Sequence, residues 1–364
     1  MVYTKGVGFS IYPEHNDAAS DKKYIDRMAK LGAVRIFTCL LSAEGDKDEI
    51  LAHYKDVIGH ARTKGLDVII DIAPSVFKDF GLEKGDLSLF HEMGATGIRL
   101  DEGFSAAENA RLTANNYGLS IELNASTNDN VVGSIMAYKP NVDRLLTCHN
   151  FYPQRYTGLS QDFFDMTSKE MKKYNMRVAA FAGSNNPTAM GPWPLSEGLV
   201  TLEDHRGLPL DAQIRQLVAH PNVDDIIISN VYPTEEELTS LEKINFNILQ
   251  FKVELNDNVT DIEREIIFNH EHFVRGDMSE YMVRSTIPRL TYAKETIKPH
   301  DTRDLEPGDL VIVNDNYGRY KGELHIVTKA MPNDGNKNIV GRIADSDRFN
   351  MRYIESWKVF GFVE

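Results

Sequence analysis

The first two-thirds of the chain consists of short apolar runs separated by segments with helical periodicity. Each run is four to eight residues long and rich in β-branched side chains. The runs are Val7–Ile11, Ala33–Leu40, Asp67–Ile72, Gly97–Leu100, Ser120–Leu123, Arg144–Cys148, Arg177–Phe181 and Asp224–Ser229. Parallel strands that are buried on both faces have this continuous apolar character. Eight alternations of strand and helix therefore predict an α/β fold of the (β/α)8, or TIM, barrel type.

Helix candidates lie between most of the runs. They are Ser20–Leu31, Lys47–Lys64, Leu87–Met93, Ala106–Asn116, Ser160–Tyr174, Pro209–Ala219 and Thr234–Ile244. Ser20 is predicted to cap the first helix, and Thr234 with Glu237 forms a capping box at the last. Residues 182–209 form a much longer connection after the seventh run. Connections of that length in a compact barrel usually carry function, so we expect this one over the active-site mouth.

After about residue 245 the pattern changes to short strands separated by turn-forming residues. The predicted strands are Ile248–Leu255, Phe273–Arg275, Asp309–Asn314, Glu323–Val327, Ile339–Ala344 and Trp357–Phe362. Sequences such as Pro307-Gly308 and Asn333-Asp334-Gly335 favour tight turns between them. We therefore predict a barrel domain at residues 1–248 and a small β-rich domain at residues 249–364.

Composition narrows the possible partners. The formal net charge of −14 argues against nucleic acid as a partner. Cys39 and Cys148 lie within predicted strands and are expected to be reduced core thiols. The first twelve residues do not have the pattern of a secretory signal peptide, and no apolar run is long enough to cross a bilayer. We therefore expect a cytoplasmic protein with no membrane partner.

Carboxylates accompany several of the predicted strands, and barrel active sites lie at the carboxyl ends of the strands. The candidates are Glu14, Asp71, Asp101, Glu122 and, in the long connection, Glu197 and Glu203. Two carboxylates that face each other across a sugar ring are the usual equipment of glycoside hydrolysis. A structural alternative is open for Asp71 and Glu122, because Arg35 or Arg99 could neutralise either one in a buried ion pair.

Polar and aromatic residues near these carboxylates are candidates for contacts with a sugar. They are Tyr12, Asn124, His149, Asn150, Tyr152 and Trp193. Amide and imidazole groups offer the donors and acceptors that sugar hydroxyls need, although a lone histidine can equally be a structural residue. Tyr152 and Trp193 could stack on a pyranose face or belong to the core or a lid. The histidines are scattered, and dinucleotide and P-loop motifs are absent, so we expect no metal and no cofactor.

Several longer motifs resemble one bacterial family. They are Phe9–Glu14, Arg99–Phe104, Ile121–Ser126, His149–Pro153, Thr157–Leu159, Glu197–Arg206 and Arg284–Arg289. The family contains the 6-phospho-N-acetylmuramidases and was formerly an uncharacterised "outer surface protein" group. The resemblance covers nearly the whole chain and implies a TIM barrel followed by a cyclophilin-like β domain. It also implies cytoplasmic cleavage of the bond between N-acetylmuramic acid 6-phosphate and N-acetylglucosamine during peptidoglycan recycling.

The implied substrate carries a phosphate and a lactyl carboxylate, which arginine binds through paired donors. The residues predicted to bind this substrate are Tyr12, Glu14, Arg155, Arg206, Arg284 and Arg289. For each arginine, the alternative is an exposed charge that only makes the protein more soluble. Arg284 and Arg289 would bring the second domain into the site. From position and chemistry, Asp101 is predicted to be the nucleophile or general base, and Glu197 or Glu122 the general acid. Asp71 is a further catalytic candidate.

Two other kinds of function are open at this point. One is a barrel enzyme of another class, such as a lyase or isomerase that acts on a phosphorylated sugar. A Schiff-base aldolase is disfavoured, because none of the eight strand tails supplies a lysine. The other is a non-catalytic protein that binds the sugar without hydrolysing it. The stereochemical outcome and the oligomeric state do not follow from the sequence.

Overall fold

The computed structural model describes residues 5–40, 46–100, 103–193 and 197–364. The chain divides into two compact units. One runs up to Leu217 and includes Asn222–Glu242, and the other contains Val218–Pro221 and Lys243–Glu364. In the first unit eight parallel strands close into a barrel in chain order. They are β1 (Gly6–Ser10), β2 (Arg35–Cys39), β3 (Asp67–Ile72), β4 (Gly97–Leu100), β5 (Ser120–Asn124), β6 (Leu145–Cys148), β7 (Arg177–Ala182) and β8 (Asp225–Ile228). The predicted TIM barrel is confirmed.

Helices connect the strands of the barrel. They are α1 (Ala18–Lys30), α2 (Lys47–Thr63), α3 (Pro74–Asp79), α4 (Ser88–Glu92), α5 (Ala106–Leu112), α6 (Val131–Ala137), α7 (Gln161–Lys172), α8 (Leu210–Ala219) and α9 (Glu235–Leu241). The capping box predicted at Thr234 and Glu237 is present. The cap predicted for α1 is wrong, because Asp17 accepts a hydrogen bond from the Ser20 amide and Ser20 lies within the first turn. In the described part of the chain, no helix has both the length and the apolar character that a membrane span requires.

Alternate residues of each strand face the barrel interior. Phe37 of β2 and Phe181 of β7 meet there with ring centroids 5.2 Å apart. Because side chains alternate along a strand, residues two positions apart share a face. Strand register then turns several charged side chains inward, among them Arg35, Asp71, Arg99 and Glu122. The two cysteines are free and buried, as predicted.

The second unit is built around a seven-stranded mixed sheet. Its strands are β9 (Leu249–Leu255), β10 (His272–Phe273), β11 (Met282–Ser285), β12 (Asp309–Val313), β13 (Leu324–Val327), β14 (Lys337–Ile343) and β15 (Val359–Val363). Helices α10 (Asp261–Phe268) and α11 (Pro288–Thr291) accompany them. The strand order is β10-β15-β9-β14-β12-β13-β11. The sheet is nearly closed, because the Arg275 amide, just after β10, donates to the Arg284 carbonyl on β11 at 3.0 Å.

Candidate active site

The carboxyl ends of β3 and β4 and the segment after β6 meet in a chain of polar side chains. Arg99 Nη1 donates to Asp71 Oδ1 at 3.0 Å, and Arg99 Nη2 donates to Asn150 Oδ1. Asp71 is 7% exposed and Arg99 is 4% exposed. A buried carboxylate requires a partner of this kind, since water does not solvate it. The structure therefore brings Asp71 and Asn150 together through Arg99.

Two half-buried amides lie side by side at the next strand ends. Asn124 ends β5, and its Oδ1 accepts from the Ser126 amide at 2.8 Å. Ser126 Oγ in turn accepts from the backbone N–H of Asn150 at 2.8 Å. Ser126 thus fixes both amide-bearing residues, an arrangement that suits hydrogen bonding to sugar hydroxyls. Asp101, the main catalytic candidate, follows β4 in the chain but lies outside the described residues, so its role stays a prediction.

Glu122 lies inside the barrel rather than at its mouth. Its side chain is fully buried, and its Oε2 accepts from Arg35 Nη2 at 2.6 Å across the interior. Arg35 also lies 3.6 Å from Asp225 at the first residue of β8. Glu122 therefore forms a buried ion pair with Arg35, the structural alternative that the sequence left open. Its carboxylate is the counterion of a buried guanidinium, which favours a structural role, and a role as general acid stays a prediction.

Two predicted sugar-binding residues are also buried. The hydroxyl of Tyr12 donates to the Ser229 carbonyl at 2.6 Å, and burial raises the pKa of that hydroxyl. His149 is fully buried, with Nε2 2.9 Å from Ser168 Oγ and Nδ1 3.3 Å from Ser126 Oγ. Neither side chain has surface to offer a substrate. Both act as structural residues, because tertiary contacts cover them.

Glu14 is held beneath the mouth by a tyrosine. It lies in a 3-10 turn, Pro13–His15, directly after β1, and its side chain is 4% exposed. Tyr54 of α2 donates its hydroxyl to Glu14 Oε2 at 2.5 Å. Burial, followed by the charge of Glu14, raises the pKa of Tyr54, so the phenol remains protonated as a donor. Little of the Glu14 side chain is therefore accessible to the substrate that it was predicted to contact.

A column of aromatic rings runs from the barrel interior to the surface. Phe151 packs edge-on against Phe181 at 5.0 Å, and Trp193 packs against Phe151 at 5.8 Å. Trp193 is 42% exposed, so one part of its indole is available to a ligand. Tyr152 is instead tied by its backbone, since its amide donates to the Val200 carbonyl at 3.0 Å. Trp193 is the better candidate for stacking on a sugar, because Tyr152 is half-buried whereas Trp193 is exposed.

The long connection after β7 forms one wall of an open cleft of about 580 Å³. Arg155 and Glu197 line it, together with three asparagines that were not among the sequence candidates, Asn185, Asn186 and Asn230. Their position directly after β7 and β8 is the signal that could have identified them. Arg155 is 61% exposed and Glu197 is 44% exposed, and Arg155 Nε lies 3.7 Å from Glu197 Oε1. Arg206 and Glu203 also line the cleft, so it brings together two predicted cations and two of the candidate carboxylates.

Arg206 is a clamp between two loops and not a free cation. Its Nε and Nη2 pair with the two carboxylate oxygens of Glu203 at 2.7 and 2.8 Å. Its Nη groups also donate to the carbonyls of Tyr152, Gln154, Glu197 and Gly198. An arginine has five N–H donors, and these bonds occupy all of them. These bonds favour a structural role, and the binding of substrate by Arg206 stays a prediction.

Glu203 completes the clamp from the other side. Besides Arg206, it accepts from the amides of Tyr156 and Gly158, both at 2.8 Å. The Arg206 guanidinium, which outweighs partial burial, and these amides lower the pKa of Glu203 to about 2. Glu203 is therefore ionised and structural. The three-residue spacing of Glu203 and Arg206 is the signal in the sequence that could have predicted the pair.

Arg284 and Arg289 lie in the second unit and are paired there. Arg284 Nη2 lies 3.1 Å from Asp277 Oδ1. Arg289 Nη1 donates to Glu323 Oε1 at 2.6 Å, and Glu323 is buried. Both guanidinium groups keep about a quarter of their side-chain surface exposed. They are thus ordered by carboxylates of their own unit and retain some surface for a ligand.

A buried histidine in the loop after β7 makes the fold sensitive to pH. His205 is fully buried, and burial lowers its pKa from 6.5 to about 4. Between these two values the unfolded chain binds a proton that the folded chain does not. We therefore expect the contribution of His205 to the free energy of unfolding to fall as the pH decreases from about 6.5 to about 4. Urea denaturation across this range should show a weaker pH dependence for His205→Gln, and an unchanged dependence would contradict the prediction.

Two models of one protein family match nearly the whole chain. Residues 7–243 match the family model described as 6-phospho-N-acetylmuramidase, N-terminal, and residues 249–363 match the corresponding C-terminal model. A comparison with proteins of curated function found no match.

Two solved structures are similar to both units. The crystal structure of an uncharacterized B. cereus protein is 43% identical in sequence, with a TM-score of 0.91, and covers 99% of this chain and 100% of that one. The crystal structure of a conserved Enterococcus faecalis protein of unknown function is 26% identical, with a TM-score of 0.74, and covers 98% and 96%. With the two family models that span its barrel and its second sheet, the chain belongs to the 6-phospho-N-acetylmuramidase family, whose name denotes a glycosidase.

Proposed function

We propose that this protein hydrolyses the glycosidic bond between N-acetylmuramic acid 6-phosphate and N-acetylglucosamine in the recovery of cell-wall fragments. The observation that carries the proposal is the match of both units to models of this family. The polar and aromatic residues at the carboxyl ends of the barrel strands support it, because barrel enzymes carry out their chemistry there.

The proposed acid and base come from two different segments of the chain. Asp101, which follows β4 in the chain, acts as the nucleophile or general base. Glu197 acts as the general acid, and its exposed carboxylate in the cleft supports that role. One carboxyl group protonates the leaving oxygen while the other attacks the anomeric carbon or activates water. Asp71 is better suited to positioning, because Arg99 already engages it.

The phosphate is proposed to bind in the cleft formed after β7 and β8. Loops after these two strands bind phosphate in many TIM-barrel enzymes. Arg155 supports this assignment, because its guanidinium is exposed and lines the cleft. A dianionic phosphate would compete with Glu197 for Arg155 and would free the Glu197 carboxyl group for proton transfer.

Replacing Trp193 with alanine is expected to raise the KM several-fold with little change in kcat. Trp193 ends the aromatic column with an exposed face, and ring contacts of this kind contribute roughly 0.5–1.5 kcal/mol. Initial-rate kinetics on the phosphorylated disaccharide would measure the effect. Tyr138→Ala is the matched control, since Tyr138 is an exposed aromatic residue after α6. A Trp193→Ala enzyme with an unchanged KM would remove this residue from the substrate site.

The direct test is incubation with the 6-phosphorylated muramyl disaccharide beside its unphosphorylated counterpart. Mass spectrometry of the products is expected to reveal cleavage of the phosphorylated substrate and little of the other. Charge-assisted hydrogen bonds to a phosphate contribute roughly 1.5–3 kcal/mol each, which supports a preference of at least about tenfold. Equal cleavage would refute the phosphate requirement. Binding without any cleavage would instead support a non-catalytic sugar-binding protein.

A further inference from the structure

One end of the second sheet exposes two tyrosine rings in mutual contact. Tyr317 and Tyr320 belong to the 3-10 turn Asp315–Tyr320 between β12 and β13. Their ring centroids are 5.1 Å apart, and the ring planes are inclined at 37°. Tyr317 is 46% exposed and Tyr320 is 38% exposed. Adjacent exposed aromatic rings are a common feature of binding surfaces, because they offer rigid contact area.

A cation lies beside each of the two rings. The Arg289 guanidinium carbon is 5.8 Å from the centroid of Tyr320, and Lys337 Nζ is 5.8 Å from the centroid of Tyr317. Arg289 comes from α11 and Lys337 from the first residue of β14. We call these four residues, Tyr317, Tyr320, Arg289 and Lys337, the tyrosine platform. The platform thus holds two cations in a chain with a net charge of −14, and Glu323 pairs with one of them.

A buried carboxylate holds Arg289 of the platform in place. Arg289 Nη1 donates to Glu323 Oε1 at 2.6 Å, and the Glu323 side chain is 2% exposed. His325 Nε2 lies 3.1 Å from the other carboxylate oxygen of Glu323. Burial lowers the pKa of His325, which favours the neutral ring as a fixed neighbour of Glu323. Arg289 is therefore oriented before any ligand arrives.

The tyrosine side is held by the backbone of the turn. Asn314 caps it by accepting from the Asn316 amide at 3.1 Å, and Asn314 is fully buried. Gly322 follows the turn with a φ of +87°, and a Cβ there would lie 3.2 Å from the Arg289 Cα. Only glycine lets α11 pack this closely on the segment that bears the tyrosines. A prearranged surface loses little conformational entropy when it binds a ligand.

We propose that the tyrosine platform binds an anionic sugar. The apolar face of a pyranose would stack on a tyrosine ring, while Arg289 and Lys337 would bind a phosphate or carboxylate on the same sugar. The inference that aromatic rings and cations form a binding surface here depends only on the geometry of the second unit. The choice of a 6-phosphorylated N-acetyl amino sugar as the ligand rests on the proposed function.

Calorimetric titration of the full-length protein with N-acetylglucosamine 6-phosphate tests the platform. Separate titrations use N-acetylglucosamine and inorganic phosphate, and both compounds are expected to bind more weakly than the phosphorylated sugar. Tyr320→Ala and Lys337→Ala should each raise the Kd about 10-fold, as the loss of one charged or aromatic contact predicts. Tyr281→Ala and Lys329→Ala are matched controls and should leave the Kd unchanged. Lys329 Nζ lies 5.1 Å from the exposed ring of Tyr281, which makes no pair with a second tyrosine among the described residues.

Each outcome decides for or against the platform. No detectable binding by the wild type, or wild-type affinity in Tyr320→Ala and Lys337→Ala, overturns it. Equal affinity for inorganic phosphate overturns the sugar part of the assignment. Hydrolysis of the phosphorylated disaccharide is measured in parallel. If the wild type hydrolyses it but the platform variants bind normally, this inference fails and the proposed function stands. If nothing is hydrolysed but binding still depends on the platform, the proposed function fails and this inference stands.

Discussion

Replacing Asp101 with asparagine is expected to lower kcat by on the order of 10²-fold or more, as the loss of a positioned acid, base or nucleophile does. The substitution keeps the size of the side chain and removes its charge. Initial rates on the 6-phosphorylated disaccharide provide the measurement, and circular dichroism with thermal denaturation verifies that the variant is folded. The prediction rests on the place of Asp101 in the sequence, directly after the last residue of β4.

The matched control is Asp143→Asn. Asp143 is exposed and lies just before the first residue of β6, so it is at the amino end of that strand. Its replacement should leave kcat and KM close to the wild-type values. A folded Asp101→Asn enzyme that keeps more than about a tenth of wild-type kcat would exclude Asp101 from the chemical step.

Replacing Glu122 with glutamine is expected to reduce the free energy of unfolding by about 3 kcal/mol, because it leaves the buried Arg35 without its main counterion. The remaining carboxylate, Asp225 at 3.6 Å, compensates only in part. Urea denaturation monitored by fluorescence gives the free energy directly. Glu170→Gln is the control, since Glu170 forms an exposed pair with Lys173 and should change stability by less than about 0.5 kcal/mol.

A double variant separates the ion pair from the packing around it. Arg35→Met with Glu122→Leu removes both charges, so it should be more stable than either single replacement. A loss of less than about 1 kcal/mol in Glu122→Gln would show that the pair does not stabilise the barrel. If that variant kept its stability but lost hydrolysis, the role of Glu122 as general acid would be supported.

The sequence predicted the barrel well, because its strands are short and buried on both faces. All eight predicted runs overlap the observed strands, and their ends differ by at most a few residues. The capping box at Thr234 followed from local spacing alone. In the second unit the prediction omitted β11, α10 and α11. β11 is a short, half-buried strand at one edge of the sheet, and its mixed residues show no clear apolar alternation.

The candidate site was predicted less completely, because partners far apart in the sequence decide the role of a charged residue. Glu122 and Arg35 are separated by 87 positions, and the clamp of Arg206 reaches back 54 positions to the Tyr152 carbonyl. The sequence offered Arg35 as one possible partner of Glu122, but local spacing could not choose between the pairings. His149 likewise looked available at a strand end until the contacts with Ser126 and Ser168 covered it.

The sequence by itself thus determined the fold class, the family resemblance and the set of polar residues at the strand ends. Those features depend on local periodicity and short motifs, which are properties of neighbouring residues. Only the tertiary structure decided which polar residues remain exposed. Arg155, Glu197 and Trp193 keep accessible surface, whereas Glu122, Tyr12, His149 and Arg206 are enclosed or fully bonded. The physical reason is that desolvation requires buried polar groups to find partners, and barrel closure brings those partners from distant strands and loops.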